Sequence, residues 1–124
     1  RYEIGSQTMI GMRALRSSLQ LFTQVIAVHG PDAIANRILD LADELRSGLI
    51  DLGAKIAGPT DRSQRSGIVT FSLPTTEPAE IRRAAMDAGV VLSCRGIGVR
   101  ASVHAYNNHS DIQRLLSAVS QTIL

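Results

Sequence analysis

The chain has 124 residues, of which 44% are hydrophobic and 19% are charged, a composition typical of one globular domain. The formal net charge of +2 is too small to indicate a nucleic-acid or membrane-surface partner, because both recognise clusters of basic residues. Aromatic residues make up only 3%, which leaves little for base stacking. The single cysteine excludes an internal disulfide and a thiolate metal cluster, so we expect no metal site and a cytoplasmic location.

Two long helices are predicted first, over residues 8–28 and 34–52. In each, apolar residues recur every three or four positions, which is the spacing of one helix face. The first stripe consists of Met12, Leu15, Leu19, Phe22 and Ile26. Gly53 follows the second helix as a left-handed cap.

The rest of the chain alternates between strand and helix patterns. Strands are predicted at residues 54–58, 67–73, 90–93 and 98–105. A helix with Pro78 in its first turn separates the middle two strands, and a last helix follows a capping box of Asn108 and Asp111. The order ααββαββα predicts an α+β fold, with helices packed on a mostly antiparallel sheet.

Arg100 is the first candidate for a functional residue. Along the segment from Val99 to Tyr106, a strand would place Arg100, Ser102 and His104 on the face away from the helices. An arginine among small side chains can bind a carboxylate through two parallel hydrogen bonds. A solvated surface arginine fits the same pattern, and the pattern alone favours it. His104 lacks a carboxylate or metal-ligand partner at a suitable spacing, which favours a structural or surface role.

Arg95 and Cys94 precede the same strand. Arg95 could bind the same carboxylate, although a solvated turn residue explains it as well. Cys94 could be a nucleophile beside Arg95, but free cysteines are more often buried and inert, and we favour that interpretation. Near the start, "IGSQT" offers Gly5, Ser6 and Thr8 as a phosphate site at a helix N-terminus, and Ser6 as a plain N-cap explains the same residues.

These segments together resemble the class V aminotransferase family, which includes the cysteine desulfurases, the selenocysteine lyases and the isopenicillin-epimerase-like enzymes. "RYEIGSQT" and "GVRASVHAYNNHSDIQRLL" are similar to the two end motifs of the family, and "RSGIVTFSLP" and "MDAGVVLSCRG" stand where it has two strands. The resemblance covers essentially the whole chain. It implies that residues 1–124 form the C-terminal small domain of a fold-type-I enzyme dependent on pyridoxal phosphate. The cofactor-binding large domain is then absent, and we expect a processed chain or a piece of a longer protein.

The resemblance also implies roles for individual residues. Arg100 matches the arginine that binds the substrate carboxylate, and Arg95 corresponds loosely to an arginine that some desulfurase-like members use instead. Ser6, with Gly5, stands where the family contacts the cofactor phosphate of the neighbouring subunit, which implies a homodimer. The only lysine, Lys55, matches no cofactor-lysine context, so no catalytic residue is expected in this chain.

One departure from the family concerns sulfur transfer. The turn "CRGIG" is shorter than the loop that carries the persulfide cysteine in the desulfurases. We therefore expect an aminotransferase, epimerase or lyase that acts on an amino acid. The alternative is a stand-alone ligand-binding or interaction module without catalysis, because an α+β sheet of this size also serves that purpose.

Overall fold

The computed structural model describes residues 8–96 and 98–123, and the chain divides into two compact units between Ile34 and Ala35. The first unit contains helix α1 (Met9–His29), in the place where the apolar spacing predicted a helix. The helix is capped by Gly30, whose φ of 92° lies in the region that favours glycine. None of the α1 side chains is buried. No helix of the described residues is long and apolar enough to cross a membrane.

The second unit contains the sheet and the remaining helices, except for the first two residues of α2. In chain order its elements are α2 (Ala33–Asp51), β1 (Lys55–Ala57), a turn of 3-10 helix (Arg62–Gln64), β2 (Ile68–Ser72), α3 (Pro78–Asp87), β3 (Ser93–Arg95), β4 (Gly98–Ser102) and α4 (His109–Ser120). The strands form one sheet in the order β1-β2-β4-β3, and every neighbouring pair is antiparallel. The predicted α+β class is confirmed.

One face of this sheet forms the core together with the helices. Val69 and Phe71 on β2 lie opposite Ala101 and Val99 on β4, and all four are buried. The helices add apolar side chains to the same cluster, among them Leu45 and Leu49 of α2, Ile81 and Ala85 of α3, and Ile112, Leu115 and Val119 of α4. Because side chains alternate along a strand, this burial fixes which residues point to the opposite face.

The last two strands differ from their predicted bounds. β3 begins at Ser93 rather than at residue 90, because the end of α3 uses the Val90 N–H, which donates to the carbonyl of Ala85 at 2.8 Å. β4 ends at Ser102, so the prediction that His104 belongs to this strand is wrong. Beyond β4, the His104 N–H donates to the side chain of Asn107 at 2.9 Å, and the Asn107 N–H donates back to the His104 carbonyl at 3.0 Å. These two bonds form a turn instead of strand pairing.

The predicted capping box at the start of α4 is confirmed. The Asn108 side chain accepts from the Asp111 N–H at 3.2 Å, and the Asp111 carboxylate accepts from the Asn108 N–H at 3.1 Å. The bond from Asn108 lowers the pKa of Asp111 below its ordinary value, with a smaller contribution from the Asn107 side chain. Both ends of the box are therefore fixed by residues within a single turn of chain.

Candidate functional site

The sheet face opposite the core carries mostly small and polar side chains around Arg100, with Ile68 as an exposed apolar exception. In the register, Arg100 lies opposite Thr70 of β2 on one side and opposite Ser93 of β3 on the other. Directly opposed residues have Cβ atoms about 4.5–5.5 Å apart, so two hydroxyl side chains flank the arginine. We call this face the open face of the sheet; it carries Lys55, Ala57, Ile68, Thr70, Ser72, Ser93, Arg95, Arg100 and Ser102.

Arg100 is half-buried on the open face and has an unused hydrogen-bond donor. Its Nε is buried and has no hydrogen-bond partner among the described residues, and no described carboxylate forms an ion pair with it. A buried donor without a partner is costly, and for a charged group the cost is higher still. An arginine in this state differs from a fully solvated surface arginine, because one of its donors is shielded from water and has no partner among the described residues.

Arg95, the second predicted substrate contact, lies on the same face of the sheet. It is the last residue of β3 and is exposed, opposite Gly98. Ser93 lies opposite Arg100, so Arg95, two residues further along β3, is the diagonal neighbour of Arg100. Residues in such diagonal positions are about 7–8 Å apart. The fold therefore brings the two predicted arginines together, although Arg95 is the more solvated of the two.

Cys94 lies between the two open-face residues of β3 and so points to the opposite side of the sheet. It is opposite Val99, a core residue, and its Sγ is 3.5 Å from the carbonyl oxygen of Pro78 at the start of α3. The thiol is exposed, so the expected burial is wrong: Cys94 lies on a three-residue edge strand, which the helices do not fully cover. Cys94 and Arg100 occupy opposite faces.

His104 and Tyr106 lie beyond the end of β4 and outside the register of the open face. Both are exposed, and their rings stack with centroids 4.8 Å apart. Within residues 8–96 and 98–123, no group of three or more His, Cys, Asp and Glu side chains could hold a metal ion. Gly5 and Ser6, the predicted cofactor-phosphate contacts, lie outside the described residues, and their role stays a prediction.

The structure adds two arginines that the sequence reasoning did not single out. Arg46 of α2 and Arg65, which follows the 3-10 turn, line a depression of about 360 Å³ beside the open face. Thr70, the residue opposite Arg100, lines the same depression. The loop "PTDRSQRS" showed its arginines in the sequence, but nothing in it indicated that Arg46, far away in the chain, would lie nearby.

Comparison with protein-family models gives no match, and neither does comparison with curated proteins. Solved structures, in contrast, share the fold. A cysteine desulfurase from Thermococcus onnurineus NA1, in its apo form, superimposes with a TM-score of 0.87 at 20% identity, over 98% of this chain and 32% of that chain. The cysteine desulfurase CsdA from Escherichia coli gives 0.80 at 18% identity, over 98% and 32%. A NifS-like protein gives 0.77 at 18% identity, over 97% and 35%.

At such low identity the likeness establishes the fold and nothing finer. This chain spans about a third of the length of each of these structures, so it corresponds to one part of a larger molecule in each case. The resemblance to the class V family was drawn from four segments of the sequence, and the fold shared with these structures extends over nearly the whole chain. The fold of this chain is that of a domain found in cysteine desulfurases and in a NifS-like protein.

Proposed function

We propose that this chain is the C-terminal small domain of a cytoplasmic, pyridoxal-phosphate-dependent enzyme of the class V aminotransferase type, and that Arg100 binds the substrate's α-carboxylate. One observation carries the proposal. In a fold shared with cysteine desulfurases, the arginine singled out by the resemblance is half-buried and holds a buried Nε that no described residue satisfies. The substrate is then an amino acid.

The chemistry of the open face suits a carboxylate. A guanidinium presents its N–H groups in a planar fork, and a carboxylate can accept two of them in parallel. Thr70 and Ser93 flank the fork with side chains small enough to leave it accessible. Binding through two bonds fixes the direction of the carboxylate as well as its position, and so orients the bonds at the neighbouring Cα for reaction.

The described residues fit the substrate rather than the cofactor. Lys55 is the only lysine of the sequence, and it lies exposed on β1, opposite Ser72. The resemblance gives this position no cofactor role, so the lysine that holds the cofactor is expected on another domain. When bound, pyridoxal phosphate supplies an electron sink for charge that develops at the substrate Cα. The contribution of this chain is to hold the carboxylate and exclude water around it.

The position of Cys94 favours chemistry other than sulfur transfer. A cysteine that takes sulfur from a substrate must reach that substrate, and Cys94 points away from the face that carries Arg100. It is also the only cysteine in the chain. Transamination, epimerisation or elimination therefore fits this chain better than desulfuration, although cysteine desulfurases share its fold.

A shared active site is the remaining part of the proposal. Ser6 and Gly5 would contact the cofactor phosphate of a second subunit in a homodimer. The test is Ser6→Ala in the full-length protein, which we expect to weaken cofactor binding while the dimer persists. Normal cofactor affinity in that variant would remove Ser6 from the site.

The visible absorption spectrum of the natively purified full-length protein tests the function as a whole. We expect a yellow protein whose long-wavelength band disappears on treatment with borohydride, because borohydride reduces the imine between a lysine and pyridoxal phosphate. A colourless protein that cannot be reconstituted with the cofactor would contradict the proposal. It would favour the alternative, a ligand-binding module without catalysis.

A further inference from the structure

We infer that the depression lined by Arg46 and Arg65 is a second anion site, which binds the oxyanion group of a ligand, either a phosphate or a carboxylate. The depression lies beside β1 and β2 and holds about 360 Å³. Its polar lining consists of these two arginines with Gln64, Ser66 and Thr70. No Asp or Glu of the described chain lines it. Cationic and neutral donors without a carboxylate suit an anion.

Arg65 is held in place by its terminal nitrogens and keeps one donor unused. Its Nη1 donates to Asp43 at 2.8 Å, and its Nη2 donates to the carbonyl oxygen of Thr60. Only 22% of its side chain is exposed. Its Nε is buried and has no partner within the described residues, the same condition as that of Arg100. A guanidinium fixed in this way loses little side-chain entropy when it binds a ligand.

Of the three arginines at the depression or next to it, Arg46 is the one that pairs with no carboxylate of the described chain. Asp61 is also near, because the Arg65 charge helps to lower the pKa of its carboxyl. Arg62 pairs with Asp40 at 2.7 Å and also with Asp43, so two carboxylates are shared by Arg62 and Arg65. Arg46 is left with one long hydrogen bond, from its Nη2 to the carbonyl oxygen of Pro59 at 3.4 Å, and with no carboxylate in the described chain. An anion in the depression would give Arg46 the partner that it lacks.

Electrostatic repulsion between Arg46 and Arg65 also favours a bound anion in the depression. Burial lowers the pKa of Arg46, and the nearby Arg65 guanidinium lowers it further. A guanidinium nevertheless stays protonated at neutral pH, so Arg46 faces the charge of Arg65 without a carboxylate partner among the described residues, whereas Arg65 pairs with Asp43. An oxyanion in the depression would be attracted by both and would remove that repulsion.

Thr70 connects this depression with the open face. It lines the depression and lies directly opposite Arg100, on a strand about 4.7–4.9 Å away. The oxyanion therefore has two possible sources. It is either a free ion or the second acidic group of a ligand whose first carboxylate binds Arg100. The anion site itself is independent of the proposed function, and only the second source rests on it.

Titration of the 124-residue chain with inorganic phosphate tests the site. Backbone amide resonances are followed by NMR while sodium chloride keeps the ionic strength constant. We expect saturable shifts at Ser66 and Thr70. Arg46→Gln should weaken phosphate binding at least about tenfold, because a charge-assisted contact is lost. The matched control is Arg83→Gln, which removes an exposed arginine of α3 that forms no hydrogen bond or ion pair with a described residue, and it should bind phosphate as the unaltered chain does.

Thr70→Val provides a second variant that keeps the side-chain shape. It removes the hydroxyl and no charge, so we expect a loss of a few-fold in phosphate affinity with folding retained. Shifts that do not saturate would overturn the inference. Equal weakening by Arg46→Gln and Arg83→Gln would overturn it as well, because that result indicates general attraction of ions to a positive chain.

Glutarate and acetate distinguish the two sources. If the depression takes the second acidic group of one ligand, glutarate, with two carboxylates, should bind at least tenfold more tightly than acetate, and Arg100→Gln should abolish the difference. If the ion is free, glutarate and acetate should bind equally while phosphate still saturates. Phosphate binding that survives Arg100→Gln supports the anion site even if the proposed function fails.

Discussion

The two faces of one sheet differ in what they contribute to the molecule. Along β2, Val69 and Phe71 are buried among helix side chains, whereas Thr70, between them, lies half-buried on the open face. Along β4, Val99 and Ala101 are buried and Arg100 lies on the open face. Adjacent residues of one strand thus have different roles: one stabilises the fold, and the next can contact a ligand.

This difference indicates that the residues most informative about function lie on the open face. The buried face needs apolar side chains of suitable volume, and many sequences meet that need. The open face needs little to fold, so a half-buried arginine with an unused donor there requires another explanation. Arg65 beside the same face has the same unused donor. Two such arginines near one surface are the strongest indication of a ligand in this chain.

Substitutions at two adjacent residues of β2 give the strongest test of the difference between the buried face and the open face. Phe71→Ala should lower the free energy of unfolding by about 3–5 kcal/mol, because Phe71 is only 1% exposed and its removal leaves a cavity. Thr70→Ala should cost less than about 1 kcal/mol. Urea unfolding followed by circular dichroism measures both. If Thr70→Ala is as destabilising as Phe71→Ala, the open face is also part of what holds the fold together.

On the open face, the expected loss is one of activity. In the full-length enzyme, Arg100→Gln should lower kcat/KM for the amino-acid substrate about 100-fold, because bonds to a charged carboxylate are lost. The free energy of unfolding should change by less than about 1 kcal/mol, since the buried Nε has no partner to lose among the described residues. Arg95→Gln, at the exposed neighbour, should have a smaller effect. Equal effects of the two substitutions would mean that general positive charge, rather than the Arg100 fork, attracts the substrate.

The core side of the sheet could be predicted from the sequence because its signals are local. Helical spacing, the glycine after α2 and the capping box of α4 each depend on residues within one or two turns. The bounds of β3 and β4 could not, since they depend on hydrogen bonds such as Val90 to Ala85, formed where a helix ends. Local pattern decides the kind of element, and its surroundings decide its ends.

For the open face, the sequence indicated Arg100 but could not show its state. A solvated arginine and a carboxylate-binding arginine have the same pattern, and only the fold shows that the Nε of Arg100 is buried and has no partner in the described part of the chain. The depression could not be predicted from the sequence for a related reason. Arg46 and Arg65 belong to different elements, and their proximity depends on how α2 packs beside the loop before β2.

A smaller effect tests whether the capping box of α4 stabilises the fold independently of the two faces of the sheet. Asn108→Ala should lower the free energy of unfolding by about 1 kcal/mol, because the Asp111 N–H loses its acceptor at the start of α4. Ser110→Ala, at an exposed position two residues later, should change it by less than about 0.5 kcal/mol. Urea unfolding again provides the measurement. A cost near that of Phe71→Ala would show that the cap also supports core packing.

The smallest expected effect concerns acid. Nearly all buried residues of the described chain are apolar, with Thr76 as the exception, so core packing should not respond to pH. Asp111 should respond, because the N–H of Asn108 lowers its pKa below the ordinary 3.8. A lowered pKa in the folded state stabilises the fold above pH 3.8, and this contribution is lost as the pH falls through the folded-state value. In Asp111→Asn that part of the acid sensitivity should disappear, as measured by urea unfolding between pH 6 and pH 2. A carboxyl carbon resonance of Asp111 that titrates at 3.8 or above would contradict this prediction and would mean that the capping bond is not kept in solution.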